Sequence, residues 1–171
     1  TAQLAAQLSD GNVRIVDARP PEEYRQGHIP GAVSLPAPAT DSLDANGEGY
    51  PIAPERAEEL FRIAGINRGS HVIVYDSQSH RFAARVFYVL EFFGHPRVSV
   101  LNGGLPKWQS ESRPTATEET KVPTGDFRPD AQSNVIATAE WMKQHLDDRG
   151  VKFVDARSPE EYSGGRMQGP R

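Results

Sequence analysis

A chain of 171 residues, 37% hydrophobic and 25% charged, has the composition of a globular protein, long enough for one well-buried domain and a remainder but short for two complete ones. Its 19 basic and 23 acidic residues give a net charge of -4 without a basic run to track a phosphate backbone, so nucleic acid is not an expected partner, and no stretch approaches the roughly 18 apolar residues of a membrane span. Zero cysteines exclude disulfides, thiolate metal sites and any thiol nucleophile, and with no signal pattern at the start a cytoplasmic location is the default expectation.

In chain order, LAAQLSDGN at 4–12 is a short helical pattern leading into Val13–Asp17, a β-branched run that reads as a buried strand. Pro20-Pro21-Glu22-Glu23-Tyr24 opens a helical turn with acidic residues near its positive end, and Ala32–Leu35 gives a second short strand. Ala57, Leu60, Phe61 and Ala64 carry the i, i+3, i+4, i+7 spacing of an amphipathic helix over Ala53–Ala64, which Gly65 can stop. His71–Tyr75 is a continuous apolar strand, Arg81–Phe93 a helix ended by Gly94, and Val98–Leu101 a further strand. Residues 111–134, rich in Pro, Thr and charge and lacking apolar periodicity, read as a linker.

Beyond the linker the sequence repeats itself. VRIVDARPPEEYRQGHIPG at 13–31 returns as VKFVDARSPEEYSGGRMQG at 151–169, a constant offset of 138 with 11 of 19 positions identical, where random pairing gives about one match. The preceding MKQHLDDRG at 142–150 matches 4–12, with Leu8 and Leu146 in register. The expected organisation is therefore a domain over 1–110, a linker over 111–134, and over 135–171 the start of a second copy, with a helix, one strand and a loose tail. Alternating strands and helices predict an α/β domain with a mostly parallel sheet, whose ligands sit beyond the carboxyl ends of the strands.

The loop Asp76-Ser77-Gln78-Ser79-His80-Arg81 joins a strand directly to a helix. Such a loop turns backbone N–H groups toward a common point, and a helix amino terminus reinforced by Arg81, with Arg85 one turn on, favours an anion and lowers the pKa of a thiol placed there. Asp76 holds that position; it cannot carry sulfur, and its own charge competes for the N–H groups. From the loop alone, the favoured reading is an ordinary strand-to-helix turn with Asp76 as a cap and His80 on the surface.

Tyr24-x-x-x-His28-Ile29-Pro30-Gly31-Ala32, preceded by Val16-Asp17-Ala18-Arg19, resembles the amino-terminal signature of the rhodanese family. VIVYD at 72–76, Gly94-His95 and Leu101-Asn102-Gly103-Gly104-Leu105-Pro106-Lys107-Trp108 add to the likeness over about 110 residues, and with the duplication the chain resembles the two-domain thiosulfate and 3-mercaptopyruvate sulfurtransferases. The resemblance implies a three-layer rhodanese-like domain with helices on both faces of the sheet. It further implies that the first domain is non-catalytic, with Asp76 in the cysteine's place, and that the nucleophile lies in the second domain, downstream of Arg171. Arg166 and Arg171, in GGRMQGPR, fall where the family's catalytic domains hold an anionic sulfur donor; as residues alone they read equally as a solvated basic tail.

His28, within a Gly-Ile-Pro-Gly turn and with no clustered partner, reads as structural, and neither metal nor cofactor is expected. Arg19 and Arg157 occupy the same repeat position and are expected to anchor their turns on Glu22, Glu23, Glu160 or Glu161. Two functions compete: a sulfurtransferase in a longer parent protein, or a non-catalytic rhodanese module that docks on or regulates another protein. A phosphatase of related fold would need a Cys-x5-Arg loop, longer by one residue and with a cysteine.

Overall fold

The computed structural model describes residues 1–42, 50–77 and 80–165, which divide into two compact units, Thr1–Ile136 and Ala137–Arg171. In the first unit, four parallel strands lie in the order β2-β1-β3-β4: β1 Val13–Asp17, β2 Val33–Ser34, β3 His71–Tyr75 and β4 Val98–Val100. β1 pairs β3 along its whole length, from Val13 opposite His71 to Asp17 opposite Tyr75. Both strands therefore end at the same edge, and the residues after them, Ala18-Arg19 and Asp76-Ser77, share that edge.

Strand pleating sorts the core into two layers. Val16, Val72 and Val74 face the apolar sides of α3 (Pro54–Ile63) and α4 (Arg81–Phe92), joining Ala57, Phe61, Ala83, Val86 and Val89. Ile15, Ile73 and Tyr75 face the other way, against Leu4 of α1 (Ala2–Ala5) and Leu105 and Trp108 of α5 (Gly104–Ser110). Helices thus cover both faces of the sheet, and the strands read as unbroken apolar runs because neither face is wet. The strand and helix assignments of the first unit, α2 (Pro21–Gln26) included, agree with the sequence to within a residue or two, except that α1 is confined to Ala2–Ala5 and that α5 has no counterpart in the expectation. It opens with Gly104 behind Gly103 as its N-cap, glycines that lower helix propensity. Gly104 is required sterically: a Cβ on it (φ 53°) would lie 2.3 Å from the Asp76 carbonyl oxygen.

Residues 111–132 contain no helix or strand, yet they lie against the first unit. Ala116 bridges His28 through two backbone hydrogen bonds, Thr120 N–H donates to the Tyr24 hydroxyl, and Gly125 exchanges hydrogen bonds with Arg62. Gly125 approaches so closely that a Cβ there would meet the Ile66 carbonyl oxygen at 2.1 Å. Phe127 is buried edge-on to Phe61, with ring centroids 4.9 Å apart. The segment has no periodicity because its apolar anchors, Val122 and Phe127, are isolated plugs rather than one face of an element.

The second unit carries α6 (Ala139–Gln144), capped by the Thr138 hydroxyl, and α7 (Pro159–Tyr162), opened by a Ser158–Glu161 capping box. The strand expected at 151–155 is not formed. A strand is stabilised by hydrogen bonding to neighbours, and the offset of 138 places the counterpart of β3 outside the 171 residues and that of β2 at 171–172, of which Arg171 alone is present.

Candidate functional site

The Asp76–Arg81 loop starts at the carboxyl end of the central strand β3 and runs straight into α4. Asp76 is buried; its Oδ2 accepts the N–H groups of Phe82 and Ala83 at 3.1 and 3.2 Å, and its carbonyl oxygen accepts Leu105 N–H at 3.0 Å. These N–H groups belong to the first turn of α4, the orphan donors that an anion or a thiolate would use. The carboxylate takes them itself, so the loop's own side chain is its anion. Oδ1 has no hydrogen-bond partner among the described residues; His80 Nδ1 stands 3.9 Å away, on a residue whose φ of 57° ends the loop.

The cations of α4 do not converge on this point. Arg81 is exposed, with its guanidinium 5.1 Å from the centroid of the adjacent Phe82 ring. Arg85, expected to reinforce the loop, is turned the other way: it pairs with Asp41 at 2.8 Å and donates to the Thr40 and Tyr50 carbonyl oxygens. One turn along a helix rotates a side chain by about 40° from its i−4 neighbour, enough for a carboxylate near another element to capture it. Ser77 is half-buried; Gln78 and Ser79 lie outside the described residues, as do Arg166 and Arg171.

A second constellation lies at the same edge of the sheet. Asp17, fully buried at the end of β1, receives Arg19 through Nε and Nη2 at 2.6 to 3.1 Å, together with the Arg19 N–H at 3.0 Å and the Tyr75 hydroxyl at 2.7 Å. The Tyr75 oxygen in turn accepts Ile29 N–H, and Arg19 Nη2 donates to the Gly27 carbonyl oxygen at 2.7 Å. Burial, with the Asp17 charge and hydrogen bond behind it, drives the Tyr75 phenol well above its ordinary range. Burial opposes the Arg19 charge, but the Asp17 hydrogen bond and charge more than offset it, so the guanidinium lies above its usual value. This network ties β1, β3 and the Gly27–Ile29 turn together. The expected partners of Arg19 and Arg157 were the nearby glutamates. The Arg19–Glu23 pair is present, as a longer ion pair at 3.7 Å, but the short bonds of the two arginines go to Asp17 and Asp155, two residues before each arginine. The signal was legible as Asp-Ala-Arg, repeated intact in both copies.

His28 stacks on Tyr24 with ring centroids 3.8 Å apart, and its Nδ1 meets the Tyr24 carbonyl oxygen at 2.9 Å. No group of three or more His, Cys, Asp or Glu arranged to hold a metal ion occurs among the described residues, nor is any helix there long and apolar enough to cross a membrane.

Fold and loop together define a parallel α/β domain covered by helices on both faces, with the Asp76 carboxylate capping α4 at the end of β3. The rhodanese-like domain family matches residues 1–111, and the chain belongs to it. It is 30% identical over 166 residues to a thiosulfate sulfurtransferase of Azotobacter vinelandii, covering 97% of this chain and 61% of that protein. It is likewise 30% identical to the human 3-mercaptopyruvate sulfurtransferase, over 86% of this chain and 50% of the relative. The crystal structure of SseA from Escherichia coli, described among the 3-mercaptopyruvate sulfotransferases, superimposes with a TM-score of 0.83 at 28% identity, covering 94% of this chain and 65% of that one. The chain thus spans about half to three fifths of the curated relatives it matches.

Proposed function

We propose that this chain is the amino-terminal part of a tandem sulfurtransferase that moves sulfane sulfur from thiosulfate or 3-mercaptopyruvate to cyanide or a thiol. Residues 1–110 form its non-catalytic domain, 111–134 connect, and 135–171 begin the second domain, which carries the cysteine. The observation that supports this reading is the buried Asp76 carboxylate at the end of β3, which binds the N–H groups of Phe82 and Ala83 at the position that the resemblance gives to a nucleophile. In such a reaction a cysteine thiolate takes the outer sulfur of thiosulfate as sulfite leaves, and the persulfide then delivers that sulfur to the acceptor. Asp76 can do neither, and no residue of this chain is a thiol. Arg166 and Arg171 are assigned to holding the anionic donor in the completed second domain.

The 171-residue protein is therefore expected to show no thiosulfate:cyanide turnover above buffer. The longer coding sequence, carried through a second six-residue loop with its cysteine, is expected to be active. Thiocyanate formation that co-purifies with the 171-residue chain would contradict the proposal, as would an inactive longer protein that has the cysteine. If the 171 residues were the full-length protein, their lack of cysteine would favour the second reading, a module that docks on or regulates another protein; an inactive longer protein would decide for it.

A further inference from the structure

β4 is an outer strand of the sheet, and its far edge is open. In the ladder with β3, Val72 stands opposite Val98 and Val74 opposite Val100; Val72 N–H donates to the Arg97 carbonyl oxygen and Leu101 N–H to that of Val74. The ladder therefore uses Arg97, Ser99 and Leu101, while the N–H and carbonyl groups of Val98 and Val100 point away from β3 and have no hydrogen-bond partner among the described residues. β4 packs chiefly on β3 and α4, and Val98-Ser99-Val100 contains no proline or charge of the kind that guards such an edge. Apolar surface lies on both sides of it. Val98 and Val100 pack against the α4 layer, and on the opposite face a groove of about 260 Å³ is lined by Leu4, Ile73 and Leu101 together with Gln7, His71 and Ser99.

The second unit holds a segment suited to that edge. Residues 151–155 repeat the V-x-x-V-D sequence of β1, which pairs on both sides in the first unit, yet they form no strand, and Phe153 is 40% and Val154 87% exposed. Two successive apolar residues suit a strand covered on both faces, as one added beside β4 would be. We propose that residues 151–155 of a second copy of this chain add to β4 as a fifth strand, bonding the main-chain groups of Val98 and Val100, with Phe153 over the groove and Val154 beside the two valines. Each chain has one such segment and one such edge, so two copies close on each other by reciprocal exchange. The association involves neither the Asp76 loop nor a thiol, so it is read separately from sulfur transfer.

The test combines sedimentation equilibrium of the 171-residue protein with amide hydrogen exchange. A mass of twice 18.8 kDa is expected at about 200 µM, falling toward that of one chain at about 1 µM, with a Kd in the micromolar range. In the dimer the N–H groups of Val98 and Val100 should exchange about tenfold or more slowly than in the monomer, whereas Ser99 N–H, on the β3 side, stays protected in both. Val154→Lys, at an exposed position, should raise the dimer Kd about tenfold or more without moving the monomer's unfolding midpoint. Val100→Pro, which removes an outward N–H and no bond to β3, should weaken the dimer likewise. A single-chain mass at every concentration would overturn the proposal, as would a dimer that Val154→Lys leaves intact. So would slow exchange of Val98 and Val100 in the monomer, which would give the edge another occupant.

Discussion

The two copies of the VDAR repeat carry nearly the same residues in opposite surroundings. Val16 is fully buried and its counterpart Val154 is 87% exposed; Tyr24 is 3% exposed and Tyr162 71%. The strand exists in the first copy and not in the second. One feature survives unchanged: Arg157 reaches Asp155 through Nε and Nη2 at 2.6 to 3.0 Å, with its own N–H on Oδ1 at 2.9 Å, the arrangement of Arg19 on Asp17. The Asp-Ala-Arg turn is therefore encoded locally, in residues close enough in sequence to close the ring without help. Strand formation is not, because its hydrogen bonds and buried apolar faces are supplied by distant segments.

Burial also separates what the same ion pair contributes. In the first copy both partners are buried, so Asp17→Ala strands the Arg19 charge and is expected to destabilise the first unit by about 3–5 kcal/mol in urea unfolding. The counterpart change, Asp155→Ala, is expected to leave the unfolding midpoint unmoved, although Arg157 holds the Asp155 carboxylate down to about 2 through its side-chain and backbone hydrogen bonds. Equal losses from the two substitutions would break the comparison.

Phe127→Ala tests whether segment 111–136 belongs to the first unit. Removing this buried ring should cost about 3–4 kcal/mol and make the segment the first site of limited proteolysis, where the parent is protected. A parent cut as readily as the variant would show that the segment is not held.

A smaller effect is expected from pH. Burial, with His71 as a lesser contribution, lowers the pKa of His95, and neither ring nitrogen has a partner among the described residues. The unfolded chain then binds a proton that the folded one resists, so stability is full above about pH 6.5 and falls as pH drops below that value toward the depressed folded pKa. His71 shifts in the same direction, through burial and then Arg97, and adds to the slope. The unfolding midpoint should fall from pH 7.5 to 5.5, and His95→Leu should flatten that dependence; a profile unchanged by the substitution would assign it to other groups.

How much of this was legible differs by element. β1 and β3 were read to the residue, since a run such as His71–Tyr75 admits little else. α5 was hidden behind Gly103-Gly104, of which Gly104 is dictated by the approach of Asp76 and not by local propensity. Residues 111–134 read as a linker, for isolated plugs such as Phe127 leave no period. At the site, Asp76 as a cap on the first turn of α4 was legible, whereas the orientation of Arg85 was not: its choice between the loop and Asp41 depends on a segment remote in sequence. The Asp17–Tyr75 contact links residues 58 apart, and no local pattern announces it.

Whether Asp76 occupies an anion cradle is tested most directly by replacing its carboxylate with a thiol. In Asp76→Cys the N–H groups of Phe82 and Ala83 and the positive end of α4 are expected to favour the thiolate. The account predicts a thiol pKa below the free value of about 8.5, measured by the pH dependence of alkylation, with faster alkylation near neutral pH than free cysteine and little or no sulfur transfer. A pKa at or above about 8.5 would show that the loop holds no such cradle.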